Sequence, residues 1–80
     1  MKKQYLVKAF NGRKEKFLSL ESDKKVLKEN VKDAHKFVSE VDAETTIEGV
    51  YLADEIAEIL GKDMIKDETM FTIIPIFVTD

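Results

Sequence analysis

The residues of this chain that could do chemistry are few and scattered. His35 is the one histidine, and there is no cysteine. A zinc centre needs several nitrogen or sulfur ligands at suitable spacing, so His35 reads as a lone surface histidine. Ser19, Ser22 and Ser39 share that single histidine, and none sits in a G-x-S-x-G elbow. The three glycines, Gly12, Gly49 and Gly61, are too dispersed to cradle a phosphate. Asp63, Asp67 and Glu68 are close in sequence. They lack the alternating spacing and central glycine of a calcium loop. A chain of 80 residues also has little room to enclose a substrate pocket. The expectation is a protein without catalytic residues, metal ligands or cofactor.

Charge is the more informative feature. The net charge is −3, but it is unevenly distributed. Residues 1–36 hold 11 Lys and Arg against 5 Asp and Glu. Residues 37–80 hold 2 Lys against 11 Asp and Glu. Such a split marks a polar surface for a partner, or two halves that neutralise each other. Lys24, Lys25, Lys28, Lys32 and Lys36 form a stripe if residues 22–41 are helical. Asp54, Glu55 and Glu58 form an acidic face if residues 52–60 are helical. These eight residues are the candidate partner-binding set.

Nucleic acid is the weaker partner for the lysine stripe. Lysine is a point charge that reads little sequence, and the only arginine is Arg13. Tyr5, Phe10 and Phe17 become stacking platforms only if they face outward. The segment YLADEIAEILGK (51–62) has the E-I-A-x-x-L-G pattern that opens many helix-turn-helix readers. The second helix of such a reader presents donors to base edges. Residues 62–74 instead turn into a β-branched run before Pro75, with no Arg, Asn or Gln. The pattern reads as an ordinary amphipathic helix stopped by Gly61.

Several elements must position these groups. Residues 4–10 and 16–20 are β-prone and flank Asn11-Gly12, a hairpin signal. A four-residue loop, Asn11 to Lys14, puts Tyr5, Val7 and Ala9 on one face with Leu18 and Leu20. Residues 22–41 read as the main helix, capped by Ser22 or Asp23. Leu27, Val31, Ala34, Val38 and Val41 form its apolar stripe, widened by Val26 and Phe37. Lys25–Glu29 and Lys36–Glu40 are spaced for ion pairing along it. Asn30 falls in the apolar sector and needs an edge position or a hydrogen bond. Residues 45–51 are rich in β-branched side chains and suggest a short strand. The second helix spans 52–60, and Gly61 takes the position after its C-terminus. Residues 70–79 form a strand apolar on both faces. Pro75 confines it to an edge or bulge, with its outer face covered by the chain or by a partner.

The expected fold is α+β: a small, largely antiparallel sheet with two helices on one face, in one domain over residues 1–80. No run approaches the ~18 apolar residues of a membrane span. Lys8 and Arg13 interrupt any leader that Met1-Lys2-Lys3 would open. A cytoplasmic location is expected. The leading function is a non-catalytic protein-interaction module, an inhibitor or regulator working through a charged surface or sheet edge. Its partner would be a protein, with a basic surface in the acidic-face version. The alternatives are a nucleic-acid accessory using the lysine stripe and a homo-oligomer built through strand 70–79.

Overall fold

Tyr5, Val7 and Ala9 alternate with Gln4, Leu6 and Lys8, a pattern of period two that forms strand β1 (Lys2–Phe10). A computed structural model describes residues 2–79; Met1, where a leader would begin, lies outside them. The chain continues as β2 (Glu15–Glu21), β3 (Lys24–Lys28), α1 (Glu40–Leu52), α2 (Ile56–Leu60) and β4 (Met70–Val78). Single 3-10 turns occupy Val31–Asp33 and Lys66–Glu68. The sheet is antiparallel with order β3-β2-β1-β4. Both helices pack on one side of it. The fold is α+β.

The first hairpin has the expected register. Phe10 pairs with Glu15 and Ala9 with Lys16, leaving Asn11 to Lys14 as the loop. The Asn11 Oδ1 accepts hydrogen bonds from the backbone N–H groups of Arg13 and Lys14. Its Nδ2 donates to the carbonyl of Asp63, which ties the loop to the segment after α2.

Residues 22–41 do not form a helix. Lys24–Lys28 is strand β3, paired with β2 from Glu21–Lys24 to Phe17–Lys28. Ser22 and Asp23 are not helix caps but the two central residues of a tight hairpin, with φ of 49° and 67°. Two positive φ values match a type I′ turn, whose twist suits the flanking strands. Neither residue is glycine, so the turn carries strain. Ser22→Asn combined with Asp23→Gly should therefore stabilise the protein by about 1 kcal/mol, read as a higher urea midpoint. In a helix the same glycine would lower stability by a similar amount.

The chain then returns between two strands. The His35 N–H donates to the Leu18 carbonyl at 3.0 Å, and Phe37 exchanges both backbone hydrogen bonds with Tyr5, at 2.8 and 2.9 Å. Residues 35–37 thus fill the gap where β2 splays from β1. Phe37, 4% exposed, joins Val7, Leu18, Ala43 and Val50 in the core. His35 stands edge-on to Phe37 at 4.6 Å and is half-buried, rather than a free surface histidine. Asn30 is exposed, and its Oδ1 caps the 3-10 turn by accepting from the Lys32 N–H.

Residues 45–51 are helical, not extended. Ser39 Oγ accepts from the Asp42 N–H and starts α1. Glu40 and Asp42 complement the positive end of the helix. Ala43, Ile47 and Val50 face the sheet. Tyr51 meets Phe71 edge-on at 5.4 Å, and its hydroxyl donates to the Thr69 carbonyl. The second helix is shorter than expected. Leu52 ends α1, Ala53 is extended, and only Ile56–Leu60 forms α2. Gly61 stops it, as expected, and its N–H donates to the Ala57 carbonyl.

β4 lies at the sheet edge and pairs with β1 along its whole length. Phe71 and Ile73 face the helices, whereas Ile74 and Ile76 lie on the far side with Leu6 and Gln4. The prediction that both faces are covered holds only in part. No α-helix lies over the far face among the described residues; Met70 there is 69% exposed although Leu6 is buried, and on the helix side Phe77 is also 69% exposed.

Candidate functional site

The acidic residues gather on the outer surface of the helical layer. Glu40, Asp42, Glu44 and Glu48 lie on α1, Asp54 and Glu55 in the α1–α2 turn, and Glu58 on α2. All seven are exposed, and no Lys or Arg occurs between Lys36 and Lys62. Among the described residues, none of the seven is in an ion pair; the pairs are Lys8–Glu15, Lys14–Asp63 and Lys28–Glu21. Glu40, Glu44 and Glu48 follow one another at four-residue spacing, where like charges repel. Two large apolar side chains share this surface. Val41 is 67% exposed and Leu52 is 83% exposed.

The expected lysine stripe does not exist, because its helix does not. Lys24, Lys25 and Lys28 are on β3, Lys32 is in the 3-10 turn, and Lys36 lies between His35 and Phe37. The expected Lys25–Glu29 and Lys36–Glu40 pairs do not form among the described residues. Lys28 pairs with Glu21 instead. That hydrogen bond, followed by the charge of Glu21, raises the Lys28 pKa above its ordinary value. Lys14 and Asp63 meet at 2.8 Å. Their hydrogen bond and mutual attraction push the lysine pKa up and the carboxylate pKa down.

The fold brings two lysines of the predicted stripe to two glutamates of the predicted acidic face. Lys24 and Lys25 line one side of an open cleft of about 510 Å³; Glu55 and Glu58 line the other, over Val26, Ala53 and Ile59. The Lys25 side chain lies across Gly49 of α1. A Cβ at that glycine would stand 3.2 Å from the Lys25 Cε. The ammonium is thereby drawn toward the C-terminal half of α1, where a cation is favoured. A smaller apolar groove of about 360 Å³ runs between α2 and the following segment, lined by Ile56, Leu60 and Met64 with Lys62 and Lys66. Among the described residues, no group of three or more His, Cys, Asp or Glu side chains is placed to hold a metal ion. No helix of the described residues is long and apolar enough to cross a membrane.

Both edges of the sheet are blunted. Tyr5 directs its N–H and C=O to Phe37, on the side of β1 away from β4. The Tyr5–Pro75 pair is therefore not hydrogen-bonded, and the Pro75 nitrogen faces the free edge of β4. It removes a donor from the middle of that edge. The other edge, β3, is five residues long with three lysines. Lys25 shares the face of Leu27, toward the helices. Short lysine-rich edges and inward charges suppress strand addition.

Sequence reasoning missed α1, and with it the exposed Val41 and Leu52 as part of the acidic surface. A signal was present: Ser39-x-x-Asp42 has the spacing of a helix-opening capping motif. Phe10 and Phe17 do face outward, on the side away from the helices, whereas Tyr5 faces them. Compared with known proteins, the chain matches no family model, no curated protein and no solved structure.

Proposed function

We propose that the protein is a non-catalytic interaction module that docks a basic partner surface on the acidic outer side of α1 and the α1–α2 turn. The observation that carries this reading is the charge of residues 40–58. Every ionisable acid or base with a formal charge there is a carboxylate, exposed and outside any ion pair among the described residues. Folding them together concentrates repulsion that a basic partner would relieve. Exposed Val41 and Leu52 supply the apolar contact that charge alone lacks. The sheet-edge version of the reading is weaker, since Pro75 and the β3 lysines oppose strand addition. The nucleic-acid alternative loses the helix that was to align Lys24 through Lys36.

The test is affinity capture with the wild type and with a variant carrying Glu44→Lys, Glu48→Lys, Glu55→Lys and Glu58→Lys. Far-UV circular dichroism checks that the variant is folded. A basic protein retained by the wild type at low salt should be lost from the variant. Identical partners on both would reject a charge-mediated interface.

A further inference from the structure

We propose that the cleft between β3 and α2 binds a small apolar zwitterion, an amino acid or dipeptide with an apolar side chain. The two walls carry opposite charges. Lys24 and Lys25 line the β3 wall, with Asp23 at its end, and Glu55 and Glu58 line the helical wall. Between them lies an apolar floor of Val26, Ala53 and Ile59, each only partly buried. The cleft holds about 510 Å³, within the ~300–1,000 Å³ usual for small-molecule sites.

Local structure places each part. Glu58 follows Glu55 by three residues, and its N–H donates to the Glu55 carbonyl at 2.9 Å. The two carboxylates therefore leave α2 on the same side. Lys25 shares the face of Leu27, toward the helices. Its stem is laid across Gly49 of α1, where a Cβ would stand 3.2 Å from the lysine Cε and 3.4 Å from Nζ. The glycine leaves the room that this stem occupies.

The charges of the cleft have no partner across it. Elsewhere lysines pair with the carboxylates in reach, as in Lys8–Glu15, Lys14–Asp63 and Lys28–Glu21. Among the described residues, Lys24, Lys25, Glu55 and Glu58 make no ion pair. A free anion in the cleft is attracted by the lysines but repelled by the glutamates, and a free cation the reverse. A zwitterion sets its carboxylate at the lysines and its ammonium at the glutamates, with charge-assisted hydrogen bonds at both ends. Its side chain covers the floor and takes apolar surface out of water. This site goes beyond the docking of a basic protein on α1, although Glu55 and Glu58 belong to both surfaces.

Titration of the isotope-labelled full chain with L-leucine and with L-alanyl-L-leucine, followed by amide chemical shifts, tests this. At least one of the two should give saturable shifts confined to residues 23–26, 49 and 53–59, with a dissociation constant in the millimolar range. The tighter binder fixes the size of ligand the cleft takes. Blocking either charge of that ligand, as its N-acetyl or its C-amide form, should weaken binding about fivefold. These arms leave the protein unchanged, so folding does not enter. Lys24→Gln with Lys25→Gln, and separately Glu55→Gln with Glu58→Gln, should weaken binding of the zwitterion to a similar degree. Absence of saturable shifts up to about 50 mM of either ligand overturns the proposal. So do blocked forms that bind as well as the zwitterion, the result an apolar contact alone would give. Shifts that map away from the cleft, or that persist unchanged in both glutamine variants, do the same. The lysine variant keeps every carboxylate of the docking face, so a failure of this site and a failure of that face are read separately.

Discussion

Phe37→Ala should leave the protein unfolded or barely folded. Phe37 is 4% exposed and packs with Val7, Leu18, Ala43 and Val50. Truncating a buried phenylalanine costs about 3–5 kcal/mol. A chain of this length has about 4–12 kcal/mol of stability in total. The loss therefore consumes much or all of it. Phe37 also anchors the segment that bridges the splayed end of β1 and β2, through its two hydrogen bonds to Tyr5. Its neighbour supplies the control. Val38 is 73% exposed, so Val38→Ala should change stability by no more than about 0.5 kcal/mol. A helix over 22–41 would put Val38 in the centre of the apolar stripe and Phe37 at its margin. Urea unfolding of the two variants therefore separates the two structures, and a larger loss for Val38→Ala would reject the one described.

Gly61→Ala should destabilise by about 1–3 kcal/mol. Gly61 has φ of 80° and ψ of −179°, at the C-terminus of α2. This lies outside the left-handed helical region and in a region populated essentially by glycine. A Cβ would meet little else there, since the nearest atom, Lys16 Nζ, is 3.6 Å away. The penalty is thus one of backbone conformation rather than crowding. Asparagine, which replaces glycine at many left-handed caps, should not rescue this one. Melting curves should place Gly61→Ala and Gly61→Asn together, several degrees below the wild type. Recovery in Gly61→Asn would mean an ordinary left-handed cap. The connection matters for function, because α2 and the turn before it carry Glu55 and Glu58.

Elements whose signals are local and agree with one another were legible in the residues alone. Asn11-Gly12 between alternating strands specified the first hairpin and its register. Pro75 in a β-branched run specified an edge strand, and Gly61 specified the end of a helix. Together with the apolar pattern they were sufficient for an α+β fold with helices on one face. Residues 22–52 were settled by long-range contacts instead. There, Leu27, Val31, Ala34, Val38 and Val41 fit a helical period, while Thr45, Thr46, Ile47 and Val50 favour a strand. Such preferences amount to a few tenths of a kcal/mol per residue. They were outweighed by contacts that no window of sequence contains. Leu27 settles opposite Leu18 on β2, Phe37 pairs with Tyr5 on β1, and Ala43, Ile47 and Val50 cover that sheet. Burying a large apolar side chain is worth about 1.5–3 kcal/mol, so a few long-range contacts reverse many weak local preferences. The same reversal moved the surfaces. The lysine stripe vanished with its helix, and the carboxylates of residues 40–58 came together on α1, the turn after it and α2, the first of which periodicity alone did not reveal.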